Sequence, residues 1–358
     1  MKTAHLGPLT DPGNQFARSA TESWQEYDQR ALKALHHHYA EEIDAVVAIL
    51  RNLRFDFAAL RATHQTQLRA ELVGRHCLPY LMTHDTYFRG RRPNLPALAA
   101  VVAGHTLSLT QLDYHFDGAD PDAKRTATAQ KIDLHTAVAY AIEMVYHAGA
   151  LGGLHAGHLF QEVLRPVSGF VLERMHADWE SRHQLPGLDG IAHKARDYHR
   201  HHQSRLMASG YWEAMSRTAF VVQGEEFPPE LAQFTTVLRK VRQLADEVED
   251  LEEDLESGLL TLPLMLGILD EGEPLRSTIE NYWEQPSDRP RHSASSIVAR
   301  VRTVAVQDQL RATARTLLRD LPTPDWAGFS MASGPPLSVL LDLKIGVLET
   351  GLERFESR

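Results

Sequence analysis

An all-α fold is predicted for this 358-residue chain, on three observations. Apolar residues recur at helical spacing, as in Leu32, Leu35, Ile43, Val46, Val47 and Leu50. Alternating runs of β-branched and aromatic residues, the mark of strands, are almost absent. The periodic stretches are punctuated by loop-forming segments such as "GALGG", "LPGLDG", "QGEEFPPE", "EQPSDRPRHSA" and "LPTPDWAGFSMASGPP".

Taken in order, residues 1 to 18 read as a loose arm, flexible ahead of a single helical domain over 19 to 358. Ser19 with Glu22 makes a capping box for a long first helix running to about Arg51. Pro79 interrupts the next helix, since proline lacks the N–H that a helix interior needs. A helix over 94 to 115 is bounded by Pro93 and by the loop "DGADPDAKR". Further helices are expected over 127–148, 155–184, 190–222, 230–257, 262–270, 294–319 and 336–356. No internal repeat or low-complexity linker divides the chain.

The 37 basic and 47 acidic residues give a net charge of -10, so the overall field favours neither nucleic acid nor an anionic membrane. A small molecule or another protein is the expected partner. Cys77 is the only cysteine, which rules out an intrachain disulfide and leaves a structural thiol as the default. The opening "MKTAHLGPLTDPGNQ" lacks the apolar run of a signal peptide, which points to a cytoplasmic location. No stretch approaches the roughly 20 apolar residues that cross a bilayer. A lipid-like substrate would therefore have to enter a pocket.

The stretch "QLADEVEDLEEDLESGLLTLP" places Asp246, Asp250 and Asp254 four residues apart. Residues i and i+4 share one helix face, where like charges cost about 0.2 to 0.5 kcal/mol per pair, so the stripe asks for a reason. One reading is a solvated face, supported by Glu247, Glu249, Glu252, Glu253 and Glu256. The other is a carboxylate site for Mg2+, a hard ion that prefers oxygen ligands and often bridges to phosphates. Spacing alone does not choose between them. A second pair, Asp113 and Asp117, ends a helix otherwise marked as apolar by Leu107, Leu109, Leu112 and Phe116. Carboxylates on such a helix are costly unless paired or metal-bound. Basic residues flank this pair: Arg89, Arg91 and Arg92 precede it and Lys124-Arg125 follow it. The planar guanidinium fork suits phosphate oxygens.

This ordered set resembles the trans-isoprenyl diphosphate synthases, the polyprenyl synthetase family of the isoprenoid synthase superfamily, over roughly residues 75 to 265. In the resemblance, "RGRRP" supplies Arg89 and Arg92, and His105 stands for the histidine of the homoallylic diphosphate site. "LDYHFD" stands for the first aspartate-rich motif, with Leu112 in place of its leading aspartate. Lys124-Arg125 match the basic pair, and Arg205 in "HHQSRLMASG" is the nearest candidate for a mid-chain cation. The second motif carries Asp246-Glu247 in place of two aspartates, which keeps the charge, and leads to "TLP". A DxxxD first motif also resembles the squalene and phytoene synthases.

The resemblance implies a bundle of long antiparallel helices around a central apolar cavity, in a homodimer. It implies Mg2+, as three ions with bound diphosphate, held by Asp113, Asp117, Asp246, Asp250 and Asp254. Asp113, Asp117, Asp246 and Asp250 would serve catalysis. Arg89, Arg92, His105, Lys124, Arg125 and Arg205 would hold substrate diphosphates. The implied activity couples an allylic diphosphate to isopentenyl diphosphate, giving a longer prenyl diphosphate. Two alternatives stay open: a class I terpene synthase, and a non-catalytic subunit of a heteromeric synthase, suggested by Leu112. The histidine runs at 36–38 and 198–203 are read as structural, because His36, His37 and His38 point around the helix in different directions and no carboxylate motif frames His199 and His202.

Overall fold

The computed structural model describes residues 5–52, 70–102, 181–198, 211–284, 291–323, 325–329 and 334–355. Every regular element among the described residues is a helix. The helices expected over 127–148 and over most of 155–184 lie outside them.

Helix α1, Trp24–His38, starts four residues later than expected. Its capping box is Ser23 with Glu26: Ser23 Oγ accepts from Glu26 N at 3.2 Å, and Glu26 Oε2 accepts from Ser23 N at 2.9 Å. Glu22 accepts from Ser19 N at 3.2 Å, as expected, and from Arg30 Nε at 2.8 Å, but no helix starts at Ser19. The long first helix is in fact two, because Tyr39 leaves helical geometry (φ -109°, ψ 24°) before α2, Ala40–Asn52. Conversely, α3, Ala70–Tyr87, runs through Pro79 where an interruption was expected. Its face Cys77, Leu78, Leu81 and Met82 is buried, and Thr83 Oγ1 donates to Ser216 Oγ at 3.0 Å on a neighbouring helix. That packing outweighs the roughly 3 kcal/mol a mid-helix proline costs. Asn94 Oδ1 accepts from Ala97 N at 3.0 Å and so caps α4, Leu95–Val102.

The second half follows as α5 Leu188–Arg196, α6 Tyr211–Val221, α7 Pro229–Glu249, α8 Leu251–Ser257, α9 Leu262–Glu271, α10 Glu273–Glu284, α11 Arg291–Val301, α12 Val304–Leu318 and α13 Ser338–Glu353. Helix α10 was not expected, although its buried Leu275, Ile279, Tyr282 and Trp283 fall at helical spacing. The helix expected over 294–319 divides at Thr303, whose Oγ1 accepts from Val306 N and caps α12.

Packing closes α1, α3, α6, α7 and α13 into a ring: α7 lies along α13, α13 on α1, α1 on α3, α3 along α6, and α6 on α7. Helices α5, α10, α11 and α12 surround α9. Residues 5 to 18, expected to be loose, have fixed partners on the ring. Asp342 of α13 accepts from Leu9 N at 2.6 Å and Thr10 N at 2.9 Å. Glu349, fully buried, accepts from Leu6 N at 2.8 Å, meets His5 Nδ1 at 2.8 Å and pairs with buried Arg311 at 2.9 Å. A buried carboxylate needs such donors to offset its lost hydration, and here the arm provides some of them. No helix among the described residues is long and apolar enough to cross a membrane.

Candidate active site

The acidic stripe lies at one end of the ring. Asp250 departs from helical geometry (φ -96°, ψ 16°) and divides the expected helix 230–257 into α7 and α8. The hydrogen-bond ladder nevertheless continues, from Asp250 N to Asp246 O and from Asp254 N to Asp250 O, both at 2.8 Å. The i, i+4 alignment of Asp246, Asp250 and Asp254 therefore survives the bend. Asp246 and Asp254 are half-buried and Asp250 is exposed, so all three carboxylates reach water. The stripe stops at Gly258, whose φ of 80° is a left-handed conformation that side chains disfavour. A Cβ there would also sit 2.6 Å from the His183 ring. Trp283 Nε1 donates to Leu255 O at 2.8 Å and covers the other side of this exit.

Glu247 departs from its neighbours. Expected as part of the charged motif, it turns inward and is 2% exposed. Its carboxylate accepts from Leu262 N at 3.0 Å, from Gln243 Nε2 at 3.2 Å and from the Tyr198 hydroxyl. Leu262 is the first residue of α9, so a negative charge meets a helix N-terminus, where it is favourable. The charge kept in the motif at this position thus joins α7, α9 and the end of the segment at Tyr198, and does not extend the stripe.

Cations also meet the stripe. Arg242, one turn upstream, lies 3.3 Å from Asp246. Lys344 of α13 has Arg242, Asp246, Asp28 and Arg75 within electrostatic range. Its ammonium lies 5.7 Å from the centroid of the Trp212 ring. Beside them, burial first, and then the charges of Arg242, Arg75 and Lys344, push His76 down to about 4. The five ring helices thus each place a residue in one polar layer: Asp28, Arg75 with His76, Trp212, Arg242 with Asp246, and Lys344.

Neither a protein-family model nor a curated protein matches this chain. Among solved structures it is similar to a decaprenyl diphosphate synthase from Rhodobacter capsulatus, with a TM-score of 0.61 and 16% identity over 90% of this chain and 99% of that one. This is the isoprenoid synthase fold. At that identity the likeness speaks for architecture, and the functional residues have to be weighed on this chain's own geometry.

Placed on the isoprenoid synthase fold, the sequence-derived residues separate. Asp246, Asp250 and Asp254 share a face as expected. Asp113, Asp117, His105, Lys124, Arg125, Arg205 and Leu112 lie outside the described residues, as do His199 and His202. Arg89 and Arg92 are described, and their exposed turn lies at the other end of the ring. Arg91 of that turn donates to Gln223 at 3.2 Å, just beyond α6. Tyr87 accepts from Trp326 at 2.9 Å, and the Trp326 ring lies tilted 5.2 Å from that of Phe234, early in α7. His76, Trp212 and Arg242, which mark the polar layer, lie between 8 and 11 residues along the same helices from Tyr87, Phe220 and Phe234. At 1.5 Å per residue the two ends are about 12 to 16 Å apart along the ring, and Asp246 is about 6 Å further. Arg89 and Arg92 are therefore not beside the acidic stripe. The acidic pair beside which the sequence sets them, Asp113 and Asp117, lies outside the described residues. Among the described residues, no group of three or more His, Cys, Asp or Glu side chains is arranged to hold a metal ion. Asp246, Asp250 and Asp254 run along a helix and do not converge, so a metal held here would need ligands from elsewhere. Their hydrated carboxylates suit Mg2+, which keeps several waters.

The pH dependence of this layer is testable through His76. Its unfolded value is about 6.5, so the unfolded chain binds more protons between about 4 and 6.5. Stability is therefore lost as pH falls through that window, by up to about 3 kcal/mol. Asp342 acts oppositely: burial raises it to about 6, so its contribution grows as pH falls from about 6 towards its unfolded value. The readout is accordingly the difference between wild type and His76→Gln in urea titrations from pH 7 to 4.5. The variant is expected to lose less stability on acidification. Parallel curves would show that His76 titrates normally in the fold.

Proposed function

We propose that the protein acts on an allylic prenyl diphosphate, with Mg2+ bound by Asp246, Asp250 and Asp254 together with Asp113 and Asp117. The observation that carries this is the continuous, water-accessible carboxylate stripe at one end of a helical ring with the isoprenoid synthase fold. Bound Mg2+ would supply Lewis-acid stabilisation of the departing diphosphate. The chain's own carboxylates would set where that charge is neutralised, and the apolar interior would keep water from the carbocation. In the favoured version isopentenyl diphosphate is the acceptor and the product is a longer prenyl diphosphate. The fold neighbour, a decaprenyl diphosphate synthase, supports that version.

A second version is favoured by a specific observation. The residues assigned to isopentenyl diphosphate, Arg89 and Arg92, lie at the opposite end of the ring from Asp246. A class I terpene synthase, in which the cation is trapped by its own chain, needs no second diphosphate site. Incubation with C10, C15 and C20 allylic diphosphates and Mg2+, with and without isopentenyl diphosphate, distinguishes the two by product mass. A longer diphosphate that forms only with isopentenyl diphosphate supports chain elongation. A hydrocarbon or alcohol formed without it supports the terpene synthase. In either version EDTA is expected to abolish pyrophosphate release, and excess Mg2+ to restore it. Full turnover in metal-free buffer would remove the carboxylate stripe from the mechanism.

A further inference from the structure

Helix α13 carries two fully buried carboxylates, Asp342 and Glu349, and residues 5 to 10 cross it where they lie. Both accept from backbone N–H groups of that segment: Glu349 Oε1 from Leu6 at 2.8 Å, and Asp342 Oδ1 and Oδ2 from Leu9 at 2.6 Å and Thr10 at 2.9 Å. The spacings match. Seven residues of helix rise about 10.5 Å, and the three residues from Leu6 to Leu9 cover roughly that distance only when almost fully extended. Leu6 and Thr10 are buried, Thr10 Oγ1 meets Ser338 Oγ at 3.0 Å, and Gly7 and Pro8 between them face solvent. The segment therefore lies along α13 as an extended strap, held by its backbone at both ends.

The Glu349 end of this strap lies close to the carboxylate stripe. Gly351 follows Glu349 by two residues, and α7 approaches it so closely that a Cβ on Gly351 would sit 2.8 Å from Val248 Cγ1. Val248 stands midway in sequence between Asp246 and Asp250, where α7 ends. Helix α13 also packs along α7 over its length. Close-packed interiors pass on a displacement and do not absorb it. What fixes α13 at Glu349 therefore also fixes the backing of Asp246 and Asp250.

We infer that residues 6 to 10 are a strap that sets the geometry of the carboxylate stripe, with Glu349 and Asp342 as positioning residues that act through α13 on Asp246 and Asp250. For its effect on Mg2+ this rests on the proposed function; for its effect on the helices it rests on the packing alone. Arg311 of α12 pairs with Glu349 at 2.9 Å from the other side, so the strap shares that carboxylate with a fixed partner. Asp342 takes both of its backbone donors from the strap.

Leu6→Asp in the full chain tests this, because it removes the buried side chain and sets a second carboxylate beside Glu349, so the strap leaves α13. Gly7→Ala is the control, since a Cβ there meets nothing within 4 Å. Backbone amides over 246–257 are expected to exchange hydrogen faster in Leu6→Asp, while those of α4, which packs on α2, α3 and α6, keep the wild-type rate. The Mg2+ concentration for half-maximal pyrophosphate release from an allylic diphosphate should rise about tenfold, the lower end of what lost support around metal ligands costs. The rate at saturating Mg2+ should stay close to wild type, and Leu6→Met should restore the wild-type Mg2+ requirement. If Leu6→Asp does not fold, Leu6→Ala carries the same comparison. Unchanged exchange over 246–257, or an unchanged Mg2+ requirement in an active enzyme, overturns the strap's positioning role even if the urea midpoint falls. Faster exchange in a protein whose wild type releases no pyrophosphate would uphold the strap and overturn the proposed function.

Discussion

Asp246→Ala and Asp250→Ala are each expected to lower turnover of an allylic diphosphate by at least about a hundredfold, the scale on which a group that stabilises developing charge acts, while the fold stays intact. The second half of this expectation follows from the local energetics. Among the described residues Asp246 has one ion pair, with Arg242 at 3.3 Å, and its side chain is 37% exposed. Pairs of that exposure contribute about 0 to 1 kcal/mol. Removing the charge also relieves repulsion from Asp250 one turn away, worth about 0.2 to 0.5 kcal/mol. The two effects nearly cancel, so the melting temperature should hardly move. Asp250 is exposed, where water screens its contacts, so its loss is also expected to cost little stability. Pyrophosphate release in single turnover at saturating Mg2+, alongside thermal melting, checks both halves. Wild-type rates in both variants would leave the stripe as an ordinary solvated face. A large fall in melting temperature would mean that the carboxylates hold the helix ends, and activity loss would then say nothing about metal.

The helical character of the fold and the carboxylate alignment were legible in the sequence because both depend on local periodicity. Apolar spacing identified α9, α13 and the start of α7 to within a few residues, and acids at i, i+4 and i+8 remain on one face even though Asp250 divides the expected helix. Errors arose where tertiary contacts decide. Pro79 looked like a break, but α3 continues because α6 packs along it. Ser19-Glu22 had the same capping pattern as Ser23-Glu26, and Glu22 does accept from Ser19 N, but the reciprocal side-chain cap that starts α1 forms at Ser23. The cations around Arg89 were placed around the pair Asp113 and Asp117, which lies outside the described residues, and helix lengths set them away from Asp246. Lys344 and Arg242 went unnoticed although each carried a signal. Lys344 is the one lysine in the apolar run of α13, and Arg242 extends the acidic stripe upstream by one turn with the opposite sign.

Glu247 is the position where sequence and structure give opposite expectations, and Glu247→Ala decides between them. As a member of the acidic motif it would add charge to a metal site, and its loss would weaken metal binding with little change in stability. In the structure its carboxylate is buried and accepts three hydrogen bonds, from Leu262 N, Gln243 Nε2 and the Tyr198 hydroxyl. Alanine would leave those donors without their acceptor in the core, and each buried unsatisfied group costs about 1 to 3 kcal/mol. The donors can partly rearrange, so the contributions do not simply add, and a total of about 3 to 5 kcal/mol is expected. That is a large fraction of the roughly 5 to 15 kcal/mol that holds a typical domain together. Glu247→Gln keeps an acceptor but turns an amide N–H towards one of the donors, so an intermediate loss is expected. Urea unfolding of wild type and both variants provides the measurement, with Mg2+ affinity followed in parallel. Glu247→Ala should shift the midpoint strongly downward, with Glu247→Gln between it and wild type. An unchanged midpoint with weakened Mg2+ binding would turn Glu247 back towards the stripe. It would also dissolve the link it makes between the carboxylate helix and the start of α9.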